Sequence, residues 1–219
     1  MILHHIALSR SFRVLFTLEE LGLEADLKYY SVLDGSLRSP EFLQISPAGR
    51  VPALEFDDGR VMFESGPILQ FLAETHPEAN LGRPVDHSER ARFLEMLSLS
   101  ETISCELEML NMQHLFLREP KDASATVIKL NTLRFRAGLR AIDAILANQD
   151  WLCESGFSAA DIMMSFNILV APYFLEMSEL PNINRYREQL EERAAFRRAR
   201  AKDGEQKFYD RDFYPVPTS

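Results

Sequence analysis

Residues 46–56 read SPAGRVPALEF and place Pro52 at the start of an apolar segment that otherwise has the composition of a buried strand. Proline has no backbone N–H to donate to a sheet, so it is confined to strand edges, first strand positions and bulges. A cis bond before Pro52 would form a sharp turn and leave the N–H and C=O of Val51 facing outward. The stretch therefore predicts a strand that begins at a turn, beside a backbone edge that can pair with an extended peptide.

Strand and helix patterns alternate around this stretch, through the first eighty residues, which is typical of an α/β unit. An apolar helix follows the first strand and ends at Gly22, and Ser39 followed by Pro40 predicts the cap and first turn of a short connecting helix. The Asp-Gly pair at 58–59 predicts a hairpin, and a further helix opens at Ser65. The four predicted strands are 2–8, 27–32, 52–56 and 61–63. The predicted order of this unit is βαβ–ββα.

The remainder of the chain has a helical pattern. Segment 77–87 is rich in proline and glycine and predicts a linker. Beyond it, apolar residues recur at every third or fourth position, and FSAAD at 157–161 has the spacing of a helix capping box. The predicted fold class is therefore α+β, with an N-terminal βαβ–ββα domain at 1–76 and an all-α domain at 88–219.

Composition and charge restrict the partners of the chain. It contains 24 Lys and Arg against 33 Asp and Glu, a formal net charge of −9, which argues against general binding to nucleic acid or to an anionic membrane. The basic run 193–202 is flanked by acidic residues and is interpreted as a solvated terminal helix. No segment has the apolar length of a membrane span, and the N-terminus lacks a basic leader. We therefore expect a cytoplasmic protein without nucleic-acid or membrane partners.

The cysteines and histidines do not predict a metal site. Cys105 and Cys153 are far apart and form no CxxC pair, so they are predicted to be free buried thiols in a reducing compartment. His4 and His5 are adjacent on a predicted strand and point to opposite faces, so they cannot share a metal ion. No metal is expected.

Several motifs together resemble the cytosolic glutathione transferases. They are SRSFRV at 9–14, LEELGL at 18–23, SPAGRVPAL at 46–54, Glu64-Ser65 before a helix, FSAAD at 157–161 and ERAAFRRA at 192–199. Each motif is weak alone, but their order and spacing are specific. The resemblance is to serine-type members of bacterial, fungal or theta-like kind. It implies a thioredoxin-like N-terminal domain, an all-α domain that lines the electrophile pocket, glutathione as co-substrate, and a homodimer.

The resemblance also implies five glutathione-binding residues: Arg50, Val51, Pro52, Glu64 and Ser65. In the family the proline at the position of Pro52 follows a cis bond, and the backbone of the preceding residue pairs with the cysteinyl part of glutathione. Glu64 and Ser65 match residues that hold the γ-glutamyl end, whose carboxylate would lie against the Ser65 hydroxyl and the N–H groups that open the helix. Arg50 would reach the glycyl carboxylate.

Catalysis in the family converts the glutathione thiol into a thiolate beside an electrophile. The thiolate donor lies at the end of the first strand, where Ser9 is the first candidate, Ser11 competes with it, and Arg10 could assist electrostatically. The alternative is that both serines only cap the helix. The region contains no tyrosine or cysteine, which argues against the tyrosine-type and cysteine-type mechanisms. The predicted electrophile pocket consists of Leu8, Phe12, Met109, Met112, Gln113 and Phe116.

The function implied by the resemblance is detoxification by conjugation of glutathione to small hydrophobic electrophiles, with peroxide reduction as a further activity of the same thiolate. Glutathione-dependent isomerase or dehalogenase chemistry would use the same site, and the sequence does not separate it from conjugation. The alternative of a different class is a glutathione-binding or structural protein that acts through protein contacts. The aromatic tail at 208–215 either closes over the pocket or packs on the helical domain.

Overall fold

The structure, a computed structural model, describes residues 1–217 and begins with a thioredoxin-like domain. Its sheet contains β1 (Ile2–His5), β2 (Asp26–Tyr29), β3 (Ala53–Glu55) and β4 (Val61–Phe63) in the order β2-β1-β3-β4. Strand β1 pairs in parallel with β2 and antiparallel with β3, which pairs antiparallel with β4. The helices of this domain are α1 (Ser11–Leu21), α2 (Pro40–Ile45) and α3 (Ser65–Thr75). The predicted βαβ–ββα order is confirmed.

The second domain is helical. Its helices are α4 (Arg90–Asn111), α5 (Ala125–Leu146), α6 (Ala159–Val170), α7 (Pro181–Glu192) and α8 (Ala194–Asp203). Helix α4 packs against α5 and α6, while α1 of the first domain packs against α6 and α8. Among residues 1–217, no helix is both long enough and apolar enough to traverse a lipid bilayer. Residues 218–219, which end the predicted 88–219 domain, lie outside the described residues.

Short helical segments fill the connections between these elements. One-turn 3₁₀ helices lie at Ser36–Arg38, Pro77–Ala79, Pro120–Asp122, Ala171–Tyr173 and Met177–Glu179. At its C-terminal end α4 passes directly into a π-helical segment, Met112–Phe116. Because a π-helix has more residues per turn than an α-helix, this segment changes the direction of the side chains at the end of α4.

Strand β1 is shorter than the predicted strand 2–8 and stops at His5. The N–H of Ile6 donates to the hydroxyl of Ser11 at 3.1 Å instead of continuing the sheet. Leu8 then has a left-handed φ of 50°, which turns the chain toward α1. A branched residue rarely adopts this conformation, so contacts from other parts of the chain must hold the turn.

Local capping predictions in both domains are confirmed. The Ser39 hydroxyl accepts the N–H three residues further on, and Gly22 ends α1 with a left-handed φ of 65°. Ser158 and Asp161 form the capping box of α6, in which the Asp161 carboxylate accepts the Ser158 N–H at 2.8 Å. These interactions span only a few residues, which is why the sequence predicts them.

The basic stretch of α8 is solvent-exposed, as interpreted, and it also forms ion pairs with α1. Arg198 and Lys202 donate to the carboxylate of Glu19 on α1, at 2.8 and 2.6 Å. Arg193 donates twice to Glu20, at 2.6 and 2.9 Å. These contacts fix α8 against α1 and bring the end of α8 toward the sheet.

The two cysteines differ in burial. Cys153 is buried, as predicted, but Cys105 on α4 is exposed. The buried face of α4 includes Ile103, Leu107 and Leu110, and Cys105 lies between the first two of these, outside their helical stripe. The prediction of two buried thiols is therefore wrong for Cys105.

Ser158→Ala is expected to lower the free energy of unfolding by about 1–2 kcal/mol, because it removes a buried N-cap from α6. Urea denaturation followed by circular dichroism measures the change. Ser178→Ala, at an exposed serine, is the matched control and should stay within about 0.5 kcal/mol of the parent chain. Equal stability of the two variants would contradict the capping role.

Candidate active site

A largely apolar cavity of about 170 Å³ lies between the turn that follows β1 and helix α4. The first domain contributes Ile6, Leu8, Ser9, Arg10, Val32, Leu37, Arg50 and Val51 to its wall. The second domain contributes Ser104, Leu107, Glu108, Asn111, Met112, Phe116, Phe166 and Phe208. Neither domain alone encloses this cavity.

A smaller, more polar cleft adjoins the cavity. It is lined by Arg10, Ser46, Ala48, Arg50, Val51, Pro52, Phe63, Glu64 and Ser65. Arg10, Arg50 and Val51 line both the cavity and the cleft, so the two spaces adjoin. The structure therefore brings together all five residues predicted for the glutathione site.

The backbone of Val51 forms an unused edge of this cleft. The Val51–Pro52 peptide bond is cis, and β3 begins one residue later, at Ala53. Within residues 1–217, neither the N–H nor the C=O of Val51 takes part in a backbone hydrogen bond. Both groups are therefore free to pair with an extended peptide, the mode predicted from the sequence.

The opposite end of the cleft is the N-terminus of α3, which begins at Ser65. The preceding Glu64 provides no side-chain cap and has a left-handed φ of 76°. Such strain at a non-glycine residue persists only where the surrounding structure holds it, and it is common at ligand sites. The Ser65 hydroxyl and the uncapped N–H groups of α3 form a positive end suited to a carboxylate.

Buried Arg13 supports Ser65 from below. Its guanidinium donates to the Ser65 hydroxyl at 3.1 Å, to Glu101 of α4 at 2.6 Å and to the Ser104 hydroxyl at 2.5 Å. Burial lowers the pKa of Arg13 to about 10, although Glu101 opposes this shift, so the group stays charged at neutral pH. Arg13 was not among the predicted site residues; a charged side chain within the apolar stripe of α1 is the sequence feature that identifies it.

The two candidate serines have different surroundings. Ser9 is half-buried and lines the apolar cavity, whereas Ser11 is fully buried and lies outside the wall. The Ser11 hydroxyl contacts the backbone of Ile6 and the Nδ1 atom of His5, at 3.1 and 2.8 Å. Arg10 is the N-cap residue of α1, but the Ser9 hydroxyl accepts the N–H of Ser11, the first residue of that helix, at 3.2 Å. Ser9 therefore also has the hydrogen bond expected of a capping serine, whereas Ser11 lies within the helix. Of the two hydroxyls, Ser9 is the one beside the cavity.

Arg10 joins the two spaces and is held by α4. It donates to Glu101 at 2.6 Å and to Glu108 at 2.7 Å. Burial lowers the pKa of Arg10, but the two carboxylates outweigh it and the pKa is raised. Glu108 also lies 3.3 Å from the guanidinium of exposed Arg50. The cations of the site are thus already paired with carboxylates of α4.

Three of the six residues predicted for the electrophile pocket line the cavity: Leu8, Met112 and Phe116. Phe12 is instead fully buried and packs edge-on against Phe196 of α8, with ring centroids 5.5 Å apart. Gln113 turns away and accepts the N–H of Ser124 at 2.7 Å.

Met109 is the third residue that lies elsewhere. Its side chain is exposed, and it stands outside the stripe of Ser104, Leu107, Glu108 and Asn111 with which α4 faces the cavity. Successive residues of a helix are about 100° apart, so Glu108 lies at one edge of this stripe and Met109 lies about 100° beyond that edge. The sequence pattern identified the correct end of α4 but not its cavity-facing side.

Comparison with known proteins gives the family. The family model for the glutathione S-transferase N-terminal domain matches residues 9–75. Glutathione S-transferase 3 of Schizosaccharomyces pombe is 30% identical over 212 residues, which cover 92% of this chain and 87% of that protein. The chain belongs to the glutathione transferase family.

Two further proteins are similar to this chain. Maleylacetoacetate isomerase of Pseudomonas aeruginosa is 27% identical over 194 residues, covering 86% of this chain and 90% of that protein. The structure of a sphingomonad glutathione S-transferase complexed with glutathione has a TM-score of 0.80 at 23% identity, covering 93% of this chain and 99% of that one. The transferase fold is therefore shared over nearly the whole chain.

The cavity of this transferase contains residues that the sequence did not identify. Asn111 lies one helical turn beyond Leu107, and Glu108 lies one turn beyond Ser104, so helical spacing from those two cavity-lining positions would have identified them. Phe208, from the aromatic tail, also lines the cavity, and its ring centroid lies 6.0 Å from that of Phe116. The tail both closes one wall and packs on the helical domain, where the Tyr209 hydroxyl donates to Asn111 at 2.9 Å.

Arg13→Met is expected to lower the free energy of unfolding by about 2–3 kcal/mol, because hydrogen bonds from a buried charged group are lost. Urea denaturation measures this. Arg50→Met is the control, since that side chain is 60% exposed and should change stability by less than about 0.5 kcal/mol. If the two variants were equally stable, Arg13 would not be the support described.

Proposed function

We propose that the chain converts the thiol of bound glutathione into a thiolate and joins it to small hydrophobic electrophiles. The observation that carries the proposal is that the two spaces adjoin: Arg10, Arg50 and Val51 line both the polar cleft and the apolar cavity. Ser9 lines the cavity beside this junction. A peptide-binding edge, a hydroxyl and an apolar pocket thus lie side by side, as thiol conjugation requires.

Glutathione would lie in the polar cleft in an extended form. Its cysteinyl unit would pair with the free N–H and C=O of Val51. The γ-glutamyl carboxylate would bind the Ser65 hydroxyl and the N–H groups at the start of α3, with Glu64 beside its amino group. Arg50 would bind the glycyl carboxylate in exchange for its ion pair with Glu108, which is exposed and therefore weak.

The thiol would be activated mainly by the Ser9 hydroxyl. Lowering a thiol pKa from about 8.5 to about 6.5 requires about 2.7 kcal/mol of preferential stabilisation of the anion. A hydrogen bond to a charged group contributes about 1.5–3 kcal/mol, and a helix N-terminus such as that of α1 adds about 0.3–1 kcal/mol. Arg10 contributes less than a free cation would, because Glu101 and Glu108 already balance its charge.

The apolar cavity suits a small hydrophobic electrophile. Its wall includes Met112 and the aromatic rings of Phe116, Phe166 and Phe208. Methionine and aromatic side chains adapt to ligands of different shape, and binding next to the thiolate accelerates the reaction by proximity. The same thiolate would also reduce peroxides.

Isomerisation is a second candidate reaction, supported by the similarity to maleylacetoacetate isomerase. It would use glutathione at the same site, but glutathione would leave again at the end of the cycle. Mass spectrometry of the product separates the reactions, because a conjugate retains glutathione and an isomer does not.

A homodimer is part of the proposal. The edge strand β4 exposes Val61 and Phe63, whose side chains would otherwise be costly to leave in water. Light scattering at micromolar concentration should give twice the mass of one chain. A mass equal to one chain would remove this part of the proposal.

Ser9→Ala is expected to lower turnover at least about tenfold with an aryl halide electrophile and to leave the affinity for glutathione nearly unchanged, because the hydroxyl acts mainly on the anion. Steady-state kinetics and calorimetric titration measure the two effects. Ser178→Ala is the matched control for the substitution itself. Undiminished turnover of Ser9→Ala would remove Ser9 from the mechanism.

Titration of glutathione into the protein, followed by ultraviolet thiolate absorbance from pH 5 to 9, tests the proposal against a role through protein contacts alone. A bound thiol whose pKa lies below that of free glutathione supports an enzyme. Binding without that change, or no binding, favours the non-catalytic alternative.

A further inference from the structure

We propose that Ser9 is the outer end of a buried hydrogen-bond chain, Ser9–Ser11–His5–Asp203, that moves the thiol proton of bound glutathione to His5. The inference rests on the proposed function, since it needs glutathione in the cleft. His5 would act on glutathione only through Ser11 and Ser9, so it is a positioning residue. It would hold the proton for as long as the thiolate exists.

The chain is continuous in the structure. The Oγ atoms of Ser9 and Ser11 are 2.8 Å apart, and Ser11 Oγ is 2.8 Å from His5 Nδ1. On the other side of the ring, His5 Nε2 lies 3.0 Å from the backbone oxygen of Asp203 and 3.2 Å from its carboxylate. His5 and Ser11 are fully buried and Asp203 is 1% exposed, so only Ser9 reaches the cavity.

The surroundings determine which ring nitrogen carries hydrogen. His5 Nε2 faces two acceptors, the carbonyl and the carboxylate of Asp203, so it must be protonated. In a neutral ring Nδ1 is then an acceptor, and the Ser11 hydroxyl donates to it. Ser11 in turn accepts from Ser9, so the Ser9 hydrogen points inward and a Ser9 lone pair faces the cavity. This arrangement suits a neutral thiol, which can donate its hydrogen to Ser9.

A charged His5 ring reverses the two bonds between Ser9, Ser11 and His5, while Nε2 still donates to Asp203. Nδ1 now donates to Ser11, Ser11 donates to Ser9, and the Ser9 hydrogen points into the cavity, where it stabilises a thiolate. Ser11 continues to accept the N–H of Ile6, and Ser9 continues to accept the N–H of Ser11, at 3.1 and 3.2 Å. The Ser11 hydroxyl also lies 3.1 Å from the carbonyl oxygen of Ile6, so that oxygen competes with His5 Nδ1 and with Ser9 for the single hydroxyl hydrogen.

The step that links the two states conserves charge. The S–H bond of glutathione breaks and sulfur keeps the electron pair. Ser9 takes that proton and passes its own to Ser11, and Ser11 passes its own to His5 Nδ1, where a new N–H bond forms. The products are a thiolate and an imidazolium, and nothing is oxidised or reduced. When the electrophile has consumed the thiolate, the proton returns along the same chain and leaves to water in the cavity.

The groups around His5 are suited to hold this charge. From α8, the Asp203 carboxylate faces the ring, and Arg200 donates to its other oxygen. From β2, Tyr29 presents its ring edge-on at a centroid distance of 5.6 Å and donates its hydroxyl to the Lys202 carbonyl. The Asp203 carboxylate thus lies against the Nε2 side of the ring, where it forms an ion pair when the ring is charged.

The test measures the proton itself in the unmodified protein. Glutathione is added in weak buffer with an indicator dye, while thiolate absorbance and the NMR signal of the His5 Cε1–H group are recorded. We expect thiolate to appear with little proton release, and the His5 signal to move to its imidazolium position. S-methylglutathione is the matched ligand control: it fills the same cleft but has no thiol proton, so His5 should not change.

Two variants extend the test. His5→Gln keeps an amide at the ring position but cannot take a proton. The ratio of thiolate to thiol at pH 7 should therefore fall about tenfold, which corresponds to one pKa unit, and each thiolate formed should release its proton to the buffer. His4→Gln is the matched control, a buried histidine of the same strand that bonds Tyr30 and Glu55 instead. It should behave like the parent chain.

Two results would overturn the inference while leaving the proposed function intact: full proton release for each thiolate in the parent chain, or a His5 signal that is already imidazolium before glutathione is added. Absence of any bound thiolate would overturn the proposed function and this inference together. Thiolate absorbance therefore distinguishes the two failures, and neither depends on whether a variant folds.

Discussion

The carboxylate of Asp203 holds the turn on which the site depends. Both of its oxygens accept the N–H of Leu8, at 3.3 and 3.2 Å, from a position 195 residues further along the chain. Leu8 has a left-handed backbone that a branched side chain does not favour, so this turn persists only while other contacts determine it. Asp203 lines neither the polar cleft nor the apolar cavity. Because it holds the turn at Leu8, however, it determines how Ser9 is oriented toward the cavity.

The position of Asp203 in turn depends on how α8 meets α1. Arg198 and Lys202 pair with Glu19 at the rim, and Phe196 packs between Phe12 and Phe16 beneath them. Apolar burial supplies most of the free energy of such a contact, while partly exposed ion pairs mainly fix its register. The last helix of the chain is thus a structural part of a site whose chemistry lies at the first strand.

Charge balance is the second constraint on the site. Arg10 and Arg50 line the cleft, Arg13 lies buried behind Ser65, and the carboxylates of Glu101 and Glu108 on α4 pair with these cations. Buried ion pairs lose much of their Coulombic gain to desolvation. This network therefore fixes the positions of its side chains more than it stabilises the fold. A ligand carboxylate would meet cations that are already oriented, and it would have to replace Glu108 only at the exposed Arg50.

The sequence by itself determined what depends on neighbouring residues: the α+β order, the cap at Ser39, the box of Ser158 and Asp161, and the set of residues around Val51 and Ser65. Hydrogen bonds between residues a few positions apart require particular residue types at fixed spacings, and these spacings can be recognised in the sequence. Only the tertiary structure decided that Ser9 and not Ser11 faces the cavity, that Phe12 belongs to the core, and that Asp203 meets His5. These outcomes rest on contacts between residues up to 198 positions apart, and such contacts leave no periodic pattern in the chain.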